Sequence, residues 1–179
     1  MPRNRRPQDR EEKHREIVEA ALALFTEHGF DRTSIAQIAR AAGITPNTVY
    51  WYVADKDALL VAALDQLLGQ ALEELAARAE ERLVEQVLWV LNRLQQHHRL
   101  VTVVHARAAQ APAVAAWHDQ FHTLVDALIT DRLRAFGVAE HDLTTAARLG
   151  VFAVEGLLAH PADPVLSRSI LQLALRAPA

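Results

Sequence analysis

Residues 45–56 read TPNTVYWYVADK, and the side chains best suited to specific recognition are concentrated there. The Asn47 carboxamide can pair bidentately with an adenine edge in a major groove. Pro46 and the methyl of Thr48 can touch a thymine methyl. Tyr50 has a ring able to cover a sugar or a thymine methyl, and a hydroxyl able to reach a phosphate. Consecutive helical side chains point about 100° apart, so Tyr50, Trp51 and Tyr52 cannot all enter one core. Tyr52 lies next to the core face, where it can wedge between helices with its hydroxyl outward. Trp51 points sideways: its indole N–H suits a phosphate oxygen, or its ring is a lid on the first and fourth helices. Lys56 adds a positive charge at a helix start, where the dipole already favours phosphate. Thr33 and Ser34 can act similarly through hydroxyls and amides, and Gln37 is a further candidate base reader. No arginine stands beside Ala36-Gln37 to bond guanine.

A second group combines histidines with large rings: His97, His98, His105, His118 and His122, with Trp89, Trp117, Phe121 and Phe152. His118 and His122 are four apart, a spacing that can chelate a metal. Three readings stand side by side: solvated or capping histidines, polar groups lining an organic-ligand pocket, and a metal site. From the sequence no carboxylate or further histidine can be placed beside the pair, so neither a metal nor a cofactor is expected. The pocket reading selects Trp89, His105, Trp117, His118, Phe121 and Phe152 as effector-binding residues. Arg107 would pair with an acidic ligand, or with Asp119 or Asp126. No catalytic residue is expected: there is no Gly-rich phosphate loop, no nucleophile elbow, and no serine recognisably placed beside a histidine.

The elements that must position these residues are helical. Strand signals are nearly absent, and the chain has only six glycines. Ile17, Ala21, Leu24, Phe25 and His28 recur at helical steps over about 9–28, and Gly29 follows as a C-terminal cap. Thr33 or Ser34 can cap a short helix with Ile35, Ile38, Ala39 and Ala42, which Gly43 stops. Thr45 can cap a third helix opening on Pro46, and Asp55 a fourth. Breaks are expected near 78–82 and 95–99, since one helix of some 55 residues is improbable. Further helices are expected over about 113–136, 142–159, and from Pro164 behind an Asp163 cap. That makes eight or nine helices, nine being the expectation, in an all-α fold. Val49 and Val53 continue the apolar face begun by Ile44 and should pack against Ile35, Ile38 and the first helix.

The 179 residues are long enough for one large domain or a small one joined to a medium one, and their 51% hydrophobic content supports a packed core. Zero cysteines exclude a disulfide framework. No long apolar run or signal-like segment occurs, so a cytoplasmic protein without a membrane partner is expected. The net charge is −3. Residues 1–15, however, hold six cations (Arg3, Arg5, Arg6, Arg10, Lys13, Arg15) against Asp9, Glu11 and Glu12. This segment is either a solubilising tail or an arm that follows nucleic acid.

Residues 16–64 resemble the N-terminal domain of the TetR family of transcriptional regulators. The match runs from the first helix through Phe25 and Gly29-Phe30 to Thr33-Ser34, then Ile38-Ala39 and Ala42-Gly43-Ile44. It continues through Thr48-Val49-Tyr50 to Lys56 and Leu59-Leu60. The resemblance implies a basic arm and helix-turn-helix DNA-binding domain over 1–54, and an effector-binding and dimerisation domain over 55–179. It also implies a homodimer on a palindromic double-stranded DNA operator, most simply a repressor, released when a small-molecule effector changes the separation of its two halves. Thr33, Ser34, Gln37, Thr45, Pro46, Asn47, Thr48, Tyr50, Trp51, Tyr52 and Lys56 are the DNA-binding candidates. The last two helices, with Leu143, Ala147, Val151, Val154 and Leu158, then Val165, Ile170, Leu173 and Ala174, are compatible with the family's dimer interface, or else complete a monomer core. The alternative is a dimeric helical ligand-binding or adaptor protein whose DNA-binding surface is vestigial.

Overall fold

A computed structural model describes residues 7–175, all nine of its helices and no strand lying among them. In chain order they are α1 (Pro7–His28), α2 (Ile35–Ala41), α3 (Pro46–Tyr50), α4 (Lys56–Ala76), α5 (Leu83–Gln96), α6 (His98–Ala108), α7 (Pro112–Ala135), α8 (Leu143–Ala159) and α9 (Pro164–Ala174). Of the basic N-terminal segment, Arg3, Arg5 and Arg6 lie outside the described residues. Arg10, Lys13 and Arg15 belong to α1. No described helix is long and apolar enough to cross a membrane.

Local chemistry sets the helix ends. Ser34, rather than Thr33, caps α2: its hydroxyl accepts from Gln37 N while the Gln37 carboxamide oxygen accepts from Ser34 N at 2.7 Å, a reciprocal capping box. Gly43 then takes φ +66°, a left-handed conformation that favours glycine, and lets Ile44 N return to Ala39 O at 2.9 Å. Two residues later Thr45 caps α3 through Thr48 N, with Pro46 in the first turn, where a missing N–H costs nothing. The Asp55 carboxylate accepts from Ala58 N at 2.7 Å in the first turn of α4. At α9 the Asp163 carboxylate accepts from both Val165 N and Leu166 N, at 2.9 and 3.0 Å.

Contacts divide the chain into two compact units. One comprises residues up to Gly69 with Arg99–Trp117; the other comprises Gln70–His98 with the chain from His118 onward. The first unit has a core of Ile17, Phe25, Ile38, Val49, Leu59, Leu60 and Val114, all completely buried. Val53 joins it with Val49, as the four-residue spacing requires, and Tyr52 packs along its edge. Burial of this kind contributes about 1.5–3 kcal/mol per large side chain, so the short α2 and α3 depend on α1 and α4 more than on their own backbone bonds.

The second unit is built on Leu91, Leu133, Leu143, Leu157 and Leu171, with α5 packed on α8 and α9. Its α4–α5 turn is held by a buried amide. Gln86 Nε2 donates to the carbonyls of Arg78 and Glu81, each at 2.9 Å. Arg168 of α9 forms a two-pronged ion pair with Glu85 of α5, Nη2 donating to Oε2 at 3.0 Å and Nη1 to Oε1. Below Gly150 the helices approach closely, since a Cβ there would meet the Leu175 side chain at 3.0 Å.

Candidate nucleic-acid interface

The capped turn before α3 presents Thr45, Pro46 and Asn47 to solvent. Val49, two residues beyond Asn47, is completely buried and sets the rotation of this five-residue helix. Tyr50 is 55% exposed and Trp51 81% exposed, so both rings project from an otherwise packed unit. With so little of it covered, Trp51 is not a lid. The helix stops at Tyr50, and Trp51 occupies the C-cap in an α-helical conformation. Thr48 is half-buried, its hydroxyl 2.9 Å from that of Thr45. Tyr52 is half-buried against the core.

Thr33, Gln37 and Lys56 likewise have internal partners. Thr33 is 1% exposed, its hydroxyl donating toward Gly29 O at 2.8 Å and Leu24 O at 3.2 Å, and its amide donating to Phe30 O. The expectation that this hydroxyl meets phosphate is therefore corrected: Thr33 turns inward and ties the α1–α2 loop together, while the next residue, Ser34, is exposed and caps. Gln37 is exposed, but its amide oxygen is held in the capping box. Lys56 directs its ammonium back into the unit, donating to Phe30 O at 3.0 Å and Thr33 O at 3.1 Å, and lies 4.1 Å from the centre of the Phe30 ring. Two of the ammonium's three donors are thus occupied, and the residue's visible work is to fix the loop that leads into α2.

Arg107 of α6 reaches the same place. Its guanidinium embraces the Asp57 carboxylate, Nε donating to Oδ1 at 2.9 Å and Nη2 to Oδ2, and sits 5.4 Å from the Phe30 ring centre. The expected partners Asp119 and Asp126 are not the ones used. Hydrogen bonding to Asp57 holds the guanidinium pKa above its ordinary value. This pair was invisible in the sequence because its members are fifty positions apart; an aspartate in the first turn of α4 was the only signal.

The effector candidates are distributed over both units. In the first, the Trp117 indole donates to Asp65 Oδ1 at 2.7 Å, and His105 is exposed with Nδ1 2.9 Å from Val101 O. In the second, Trp89 is half-buried with the Arg78 guanidinium 5.4 Å from its ring centre. His118 and Phe121 share His122 as a neighbour, with ring centroids 4.4 and 5.7 Å away. Phe152 is 59% exposed on α8. It is not among the buried or core-packed side chains of its unit.

Known proteins resemble this chain first over the segment that holds α2 and α3. The family described as bacterial regulatory proteins, tetR family, matches residues 17–63. The HTH-type transcriptional regulator AcrR of Shigella flexneri is 40% identical over 52 residues, 29% of this chain. The chain belongs to the TetR family. The AcrR match spans only 24% of that regulator's length. The HTH-type transcriptional regulator UidR of Escherichia coli K12 is 28% identical over 153 residues, 80% of this chain and 78% of UidR. The TetR-like fold extends over nearly the whole chain: a transcriptional regulator of Saccharomonospora viridis, solved in complex with choline, superposes with a TM-score of 0.73, covering 92% of this chain and 94% of its own, at 17% identity.

Proposed function

We propose that this TetR-family regulator binds a palindromic operator as a homodimer and represses transcription until a small-molecule effector releases it. The reading divides the chain by role, with 1–54 binding DNA and 55–179 serving effector binding and dimerisation, and it places the protein in the cytoplasm. The observation that carries it is the outward face at α3. Asn47, Tyr50 and Trp51 are exposed together on a unit whose phenylalanines, Phe25 and Phe30, are buried and whose Tyr52 and Trp117 are half-buried. Asn47 is the base reader of this set, able to pair with adenine. Tyr50 covers sugar or a thymine methyl, and Trp51 donates to phosphate. Lys56 holds the α1–α2 loop in register, with one ammonium donor left for the backbone. So small a contact set per chain calls for two half-sites about one helical turn apart, or a multiple of it.

The choline-bound relative supports a ligand-binding role for the larger part of the chain without identifying this protein's effector. For release, an effector must prefer the form that does not fit the operator; a coupling of about 1–3 kcal/mol suffices.

The test is operator binding by fluorescence anisotropy, with palindromes selected from random-sequence DNA and titrations at several salt concentrations. Steep loss of affinity with salt is expected. Asn47→Ala should cost about 1–3 kcal/mol on the selected palindrome and relax base preference. Trp51→Ala should weaken all sequences alike. No selected sequence, or affinity independent of salt, would overturn the proposal.

A further inference from the structure

His118 and His122 face each other across one turn of α7, with their Nε2 atoms 3.1 Å apart. We propose that this pair chelates one divalent transition-metal ion of the zinc, cobalt, nickel and copper group, a property independent of whether the chain binds DNA. Metal–imidazole bonds are about 2.0–2.1 Å long, so an ion bound to both nitrogens at this spacing would subtend an angle of about 95–102°. That range lies between the right angle of octahedral and the wider angle of tetrahedral coordination, so the side chains are already placed for either.

The surroundings select the nitrogen atoms. Asp119 Oδ1 lies 3.8 Å from His118 Nδ1, at the far edge of the ring from His122. A carboxylate there favours the proton on Nδ1 and leaves the Nε2 lone pair turned toward the pair. His122 is then the Nε2–H donor in the metal-free hydrogen bond. On binding, that proton leaves Nε2 and Nδ1 gains one through solvent, so both rings ligate as neutral imidazoles. Phe121 packs edge-on against His122 and limits its rotation.

The pair is not sealed from solvent, since the half-buried His118 side chain keeps 22% of its exposure. Two imidazoles suit borderline-soft ions and offer nothing to calcium or magnesium, which take oxygen ligands. Water completes the shell.

The experiment is Zn2+ competition against a chromophoric chelator with the tag-free full-length chain, followed by nitrogen-15 spectra of the imidazoles. One equivalent is expected, with both the His118 and His122 Nε2 resonances moving on binding. His118→Gln and His122→Gln should each weaken binding by at least about tenfold. His141→Gln and His160→Gln, at exposed histidines elsewhere, should leave it unchanged. Far-UV circular dichroism shows that each variant keeps its helix content. No uptake by the wild type, wild-type affinity in both single variants, or Nε2 resonances that stay in place would overturn the assignment.

Discussion

His97 closes α5 with its Nδ1 buried and without a hydrogen-bond partner. Burial first, and the Arg93 guanidinium second, hold its pKa below the ordinary 6.5. The charged ring is penalised in the fold and not in the unfolded chain, so between the two pKa values the unfolded state binds more protons. Stability from this residue is complete above 6.5 and is lost as pH falls through the lower folded value. The wild type should lose more thermal stability between about pH 8 and pH 5 than His97→Gln; parallel melting curves would exclude His97 as a source of acid sensitivity. Trp51 is the opposite case. A ring 81% exposed contributes little to stability, so Trp51→Ala should change the folding free energy by no more than about 0.5 kcal/mol. Its loss should appear in DNA affinity instead, and a large stability loss would return the ring to the role of a lid.

At the level of elements, the Arg107–Asp57 pair joins α6 to the first turn of α4, beside the loop that Lys56 fastens ahead of α2. Both side chains are mostly covered, 29% and 20% exposed, and the contact is two-pronged. A double-mutant cycle with Arg107→Met and Asp57→Asn should therefore give a coupling near the upper end for partly exposed pairs, about 1 kcal/mol. If α6 communicates with the DNA-binding helices through this contact, each single variant should also alter operator affinity while Asn47 still sets base preference. Additive stability effects would show that the pair is incidental. Helix ends were readable where the determinants are local: Thr45 with Pro46 and Asp163 with Pro164 each lie within a turn of the group they satisfy, whereas in the sequence the α2 cap stays open between Thr33 and Ser34, and Gln37 is expected to read bases rather than complete a capping box. Residue roles were less readable where rotation or distance decides. Thr33 and Ser34 are neighbours of similar chemistry, yet one is buried and the other exposed, because the loop bonds to Leu24 and Gly29. The acidic partner of Arg107 depends on how α6 packs, which periodicity does not encode.

At the scale of the whole molecule, the exposed apolar side chains bear on assembly. Leu149 and Phe152 project from α8, and Val165, Leu166 and Leu173 from α9. Leu149 and Phe152 are three apart, and Leu173 lies eight and seven positions beyond the adjacent Val165 and Leu166, steps that keep side chains near one face of a helix. They are absent from the buried core of their unit, where Leu157 and Leu171 do the packing. Five large side chains left in water on two packed helices suit a surface that a second copy covers, and stable pairs bury about 1,200–2,000 Å² in total. Leu173→Glu should place a charge in that surface without disturbing the core. The expected result is a monomer in sedimentation equilibrium with wild-type helix content. Its operator affinity should be lower by at least about a hundredfold, because two linked half-site contacts become two independent ones. Phe152→Ala separates this role from an effector pocket: it should weaken self-association and leave the free monomer's ligand affinity unchanged. A Leu173→Glu protein that stays dimeric would place the contact between copies elsewhere.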